Sequence, residues 1–123
     1  MKTNYNFTAR NVLNEVLKLG RNRPDFVYLD QPDTVRDDAG FAGCSYVGAP
    51  GQRGRQVGEG CIVGQALQNL GVSVVALALM EGHGAGYVVK SLAYECDEPS
   101  LDRLRRIQAN QDGGMPWGRA VAE

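Results

Sequence analysis

Cys44, Cys61, His83 and Cys96 are the side chains in this 123-residue sequence best suited to metal or nucleophilic chemistry. Drawn together they would form a Cys3His zinc set. Their separations are 17, 22 and 13 residues, whereas structural zinc sites are built on a short paired spacing of the CxxC or HxxxH kind. No such half-site is present, so no metal is expected and the thiols are expected in the core, with Cys44 and Cys61 as structural anchors. Cys61 carries a second chemistry. It opens an expected helix, where the dipole favours a thiolate, and with His83 it would make a nucleophile and its base. The sequence offers that pair neither an orienting acid nor an oxyanion element. No catalytic residue and no cofactor are therefore assigned, and a non-enzymatic protein is expected.

The glycine-rich run at 48–60 precedes that helix and contains Arg53 and Arg55. Free N–H groups at a helix start attract anions, so Arg53, Arg55, Gly58 and Gly60 are the residues that would hold a small anionic ligand such as a nucleotide. The run lacks GxxxxGK[ST] and GxGxxG, because Gly64 falls one position too far along. Glu59 at the helix entrance would also repel a phosphate. A connector is the simpler reading, with nucleotide binding or sequestration as the alternative.

Asp33, Asp37 and Asp38 gather in a turn-rich segment and would suit a basic partner surface. His83, between glycines, is expected in an exposed loop and joins them as a candidate partner contact. Arg103, Arg105 and Arg106 do not share one helical face, which weakens any phosphate-binding role. Residues 66–80 pose the helix-turn-helix question, with Leu70-Gly71-Val72-Ser73 at the turn. A recognition helix must offer donors to bases and phosphates. The run Val74-Val75-Ala76-Leu77-Ala78-Leu79 has none, so a packed helical hairpin is expected and DNA is a poor second alternative.

The elements that must carry these residues follow from periodicity. Ala9, Val12, Leu13, Val16 and Leu17 predict a helix over 9–19, with Thr8 as N-cap and Gly20 as stop. Phe26–Leu29 and Phe41–Val47 are expected as two short strands, able to pair as a hairpin. Helices are expected from Cys61 to Leu70, closed by Gly71, and from Ser73 through Met80. The second of these is apolar almost all round and so expected to be buried. Gly82–Gly86 breaks the chain, and residues 87–94 read as helix or strand. Ser100 is expected to cap a helix with Leu101, Leu104 and Ile107 inward, ended by Asp112-Gly113-Gly114. Pro116 then opens a last turn in which Trp117 anchors the C-terminus.

Composition bounds the rest. Sixteen glycines in 123 residues are nearly twice the average of roughly 7%, so loops take a large share of a single expected domain. Thirteen basic against fourteen acidic residues give a net charge of −1, which excludes binding nucleic acid by whole-molecule charge. The N-terminus lacks a signal-like apolar run, and the longest apolar stretch, Val72–Met80, is less than half a membrane span. A cytoplasmic protein without membrane contact is expected.

Two strings are more specific than the sequence around them: Gly60-Cys61-Ile62-Val63-Gly64-Gln65-Ala66-Leu67, and the run from Ile107 to Gly118 containing QDGGMPWG. Preceded by a Cys-aromatic-Val strand, GCIVGQAL, LGV and QxxQDxGxPWGxAV resemble small uncharacterised proteins of actinobacteria and their phages. The resemblance spans about Phe41 to Val121. This chain departs from it in a longer 48–60 loop and an extended N-terminal helix. The resemblance implies a small phage or host accessory protein and transfers no catalytic residue.

Together these readings predict an α+β fold: mostly helical, about five helices, with a small two-stranded element near residues 26–47. The expected function is binding a host macromolecule or self-association, for instance as a homodimer.

Overall fold

The computed structural model describes residues 5–27, 61–80 and 83–122. Among them the chain is mostly helical, with six helices and two short strands: β1 (Tyr5–Thr8), α1 (Ala9–Asn22), α2 (Ile62–Asn69), α3 (Val74–Ala78), α4 (Ala85–Leu92), β2 (Ala93–Glu95), α5 (Glu98–Asp112) and α6 (Trp117–Ala122). The α+β class read from the sequence is the class observed.

The two-stranded element is not the expected hairpin. β1 and β2 pair in parallel, Tyr5 with Ala93 and Thr8 with Glu95, with an irregular register between. Of the hairpin expected at 26–47, only Phe26 and Val27 are described, and they are not in a strand. Within β1 the side-chain alternation buries Phe7 and leaves Asn6 exposed. Tyr5, two residues from Phe7, stacks on it with ring centroids 5.8 Å apart.

Thr8 ends the strand and starts the helix. Its hydroxyl accepts from the Asn11 amide at 3.1 Å, and the Asn11 side chain accepts from the Thr8 amide at 2.9 Å. This reciprocal capping box satisfies two backbone donors that a helix start leaves open. α1 then runs past its expected stop at Gly20 to Asn22. Gly20 serves close approach instead. A Cβ there would lie 2.6 Å from Val121 Cγ2 and 3.1 Å from the Trp117 carbonyl oxygen, so α6 packs directly on its backbone.

α2 ends as expected at Gly71, whose φ of +102° suits a residue without Cβ. Its N–H donates to the Gln68 carbonyl at 3.0 Å, and that of Val72 to Leu67 at 3.0 Å. α3 is capped by Ser73, whose hydroxyl accepts from the Ala76 amide at 3.1 Å. It departs from expectation in length and burial. It stops at Ala78, and only Leu77 of its residues is buried. Residues 85–92 form a helix that includes Ala85 and Gly86, so the expected break ends at Gly84, and β2 follows without a linker.

α5 begins earlier than expected because Asp97, not Ser100, is the cap. The Asp97 carboxylate accepts from both the amide and the hydroxyl of Ser100, at 3.1 and 2.8 Å. Those bonds hold the Asp97 carboxyl below its ordinary range, the hydroxyl contributing most. Leu101, Leu104 and Ile107 are fully buried, as their spacing requires. The core joins them to Val12 and Val16 of α1, Ile62 and Leu67 of α2, Val88 and Val89 of α4, and Trp117.

Candidate functional site

Two regions concentrate polar or exposed chemistry: a buried junction around Gln111 and the outer surface running from α3 into α4.

At the junction, Gln111 of α5 is fully buried. Its Oε1 accepts from the Ile62 amide of α2 at 2.8 Å and from the Trp117 indole N–H at 3.2 Å. Its Nε2 donates to Asp112 Oδ1 at 2.8 Å. A buried amide left unpaired would be costly, and here one side chain satisfies the first turn of α2 and the only tryptophan together. The α5 end is shaped to place it. Gly114, at φ +105°, donates to the Gln111 carbonyl at 3.0 Å, and Met115 donates to Asn110 at 3.1 Å. This reversal sends the chain back over Gln111. The two distinctive strings thus meet here, GCIVGQAL through Ile62 and QDGGMPWG through Gln111 and Trp117.

α6 is tied at both ends by other elements. The amides of Trp117 and Gly118 donate to the carbonyls of Phe26 and Pro24, each at 2.9 Å. The carbonyls of Ala120 and Val121 accept from Asn110 and Arg103, at 3.2 and 2.9 Å. A six-residue helix could not supply these partners itself. Trp117 is fully buried, its ring 4.4 Å from Phe26. The Arg23 guanidinium lies over both rings, 4.2 Å from Phe26 and 5.3 Å from Trp117.

The outer surface is of a different kind. Val75 and Leu79, one helical turn apart at α3, are 71% and 78% exposed, and Tyr87 of α4 is 56% exposed. His83 is exposed as well and stacks on Tyr87 with centroids 4.4 Å apart. Every fourth residue from Val75 to Tyr87 therefore faces outward, three of the four being large and apolar.

The sequence candidates distribute as follows. Arg53, Arg55, Gly58, Gly60, Asp33, Asp37, Asp38 and Cys44 lie outside the described residues. Cys61 is fully buried at the α2 N-cap, its side chain making no cap hydrogen bond. The Cys61 thiol is thus in the core while the His83 imidazole is at the surface. Cys96 is half-buried; burial pushes its thiol up most, the Lys90 charge pulls it down, and the carboxylates of Asp97, Glu98 and Glu95 add to the rise. Among the described residues no group of three or more His, Cys, Asp or Glu is placed to hold a metal ion. Two of the three α5 arginines have internal partners. Arg103 caps α6, and Arg105 pairs with Asp102 at 2.6 Å and Glu98 at 3.8 Å.

Sequence reasoning missed Gln111, which reads as a polar residue near a helix end. The signal was its place one heptad-like step below Leu104, on the face that also carries Leu101 and Gln108. No described helix is long and apolar enough to cross a membrane. Comparisons of the chain with protein-family models, with curated proteins and with solved structures found no match.

Proposed function

We propose that this chain is a small non-enzymatic interaction protein, of the phage or actinobacterial setting its two strings suggest. It binds a host macromolecule or a second copy of itself through the surface around α3. One observation carries the reading: Val75 stands out from a five-residue helix that has a single buried anchor, Leu77, and Leu79 stands out from that helix's C-cap.

An exposed aliphatic side chain is ordinary when it stands alone. A one-turn helix is marginal in water, so a partner covering Val75 and Leu79 would stabilise α3 as it buries apolar area, at about 25 cal/mol per Å². The α3 side chains are all aliphatic, and none can donate to a base edge or phosphate. That favours a protein partner over DNA. His83, exposed and stacked on Tyr87, would add a polar contact.

Sizing of the purified chain across a concentration series, alongside its use as bait in host lysate, tests the reading. The expected result is a dimer or one saturable partner, lost in the Val75→Asp/Leu79→Asp double variant while helix content is retained. Binding that survives the double variant, or a monomer that captures nothing saturably, contradicts it.

A further inference from the structure

The surface around α3 stands apart in charge as well as in apolarity. Between Glu59 and Lys90 the sequence holds one Asp, Glu, Lys or Arg, namely Glu81, which lies outside the described residues. In the whole chain 22% of residues are charged. The outer faces of the two long helices are of the ordinary kind. α1 exposes Arg10, Lys18 and Arg21, and α5 exposes Asp102, Arg105 and Arg106.

That neutrality bears on which occupant fits. A partner recognised through charge presents the opposite sign to its site, and this site has no sign to oppose. An anionic membrane surface would need lysines or arginines beside Val75 and Leu79, and the described residues from Cys61 to Val89 contain none. A two-fold contact between copies has a different requirement. The same patch lies on both sides, so a patch of one sign repels its mate whereas a neutral one matches itself. The net charge of −1 adds almost no long-range repulsion between copies.

We propose, resting on the interaction role given above to the α3 surface, that its occupant is a second copy of this chain. The two copies meet about a two-fold axis through Val75, Leu79 and Tyr87, in apolar contact without ion pairs. An interface of standard size covers about 800 Å² per partner, about an eighth of this chain's 6610 Å². Val75 and Leu79 alone fall short of that, so the contact extends over the His83–Tyr87 stack on the same outer surface. A patch at the small end of the range gives a reversible dimer, visible as an equilibrium with the monomer.

Sedimentation velocity of the purified chain from about 1 μM to 1 mM, in about 0.05 and 0.5 M salt, tests this. A monomer–dimer equilibrium is expected, with a dissociation constant no larger at high salt than at low. Val75→Asp/Leu79→Asp is expected to raise that constant about tenfold or more with helix content retained. Arg106→Glu on the outer face of α5 makes the same change in net charge and is expected to leave it unaltered. Should the double variant unfold, Leu79→Asn at the exposed C-cap takes its place: a weakened dimer supports the proposal and an unaltered one overturns it. A dimer that salt weakens, or that the α3 variants leave intact, overturns it. A monomer throughout also overturns it. If that monomer still captures one lysate protein saturably, and the double variant does not, the interaction role of the α3 surface stands and only the second copy is refuted. If it captures none, both fall.

Discussion

The Trp117 indole and the Ile62 amide, 55 positions apart in the sequence, donate to the same oxygen, Gln111 Oε1, at 3.2 and 2.8 Å. Removing that oxygen leaves two buried donors with no acceptor. Gln111→Leu keeps the volume roughly constant and is expected to cost about 2–4 kcal/mol, since each orphaned donor costs about 1–3 kcal/mol. Urea unfolding followed by Trp117 fluorescence measures it. A loss no larger than that of a surface substitution would show that the junction is not a principal contact of the core.

Alanine in place of glycine inside a helix ordinarily stabilises by up to about 1 kcal/mol. At Gly20 and Gly118 the sign is expected to reverse. A Cβ on Gly118 would lie 2.8 Å from Pro24 Cβ and 3.0 Å from Pro24 Cα, and one on Gly20 2.6 Å from Val121 Cγ2. Each substitution forces α6 away from its neighbour, at a cost of about 1–3 kcal/mol. Thermal melts of Gly20→Ala and Gly118→Ala should both fall below wild type; a rise in either would mean that the packing of α6 is looser than described.

The fold was legible where a pattern repeats. The 9–19 periodicity, the Gly71 stop, and the inward faces of Leu101, Leu104 and Ile107 follow from helical spacing alone. β1 was not legible, because four residues of which only Phe7 is buried carry no alternation long enough to read. Its partner β2 is three residues fused to the end of α4, and Tyr5 pairs with Ala93, far away in the sequence. α3 misled for another reason. An all-apolar run looks buried, but the one-turn helix reaches the core with Leu77 only. Of the candidate site, the Trp117 anchor was plain from composition, whereas Gln111 owes its role to three partners that spacing does not reveal.

Burial of Asp112, which pushes its carboxyl up, sets a pH dependence of stability. A carboxyl raised in the folded chain contributes stability that is complete below its unfolded value of 3.8 and is lost as pH rises through about 6. The wild-type Tm is therefore expected to be higher near pH 5 than at pH 7.5. Asp112→Asn is expected to raise Tm at pH 7.5 and to flatten the profile in that window. Asp97 acts in the opposite sense: its carboxyl is depressed by the Ser100 hydroxyl, and its contribution is lost only as pH falls below the carboxylate range. A wild-type Tm that rises between pH 5 and 7.5 would contradict the assignment to Asp112.

Thiol chemistry separates the two described cysteines. In a Cys44→Ser background, Cys61 should react with a thiol reagent only on unfolding, since its side chain is fully buried. Cys96 should react in the native state but more slowly than a free thiol at neutral pH, because burial and the neighbouring carboxylates raise it. Two fast native thiols would contradict the burial of the α2 start.

If Val75 and the C-cap residue Leu79 meet a partner, a probe at position 79 lies at the contact. A photo-crosslinking residue placed at Leu79, with the same residue at exposed Arg106 of α5 as control, tests it in the cell and with the purified chain. A discrete adduct is expected from position 79, to a second copy or to one host protein, and none from position 106. No adduct from position 79 in either setting, or the same adducts from both positions, would contradict it.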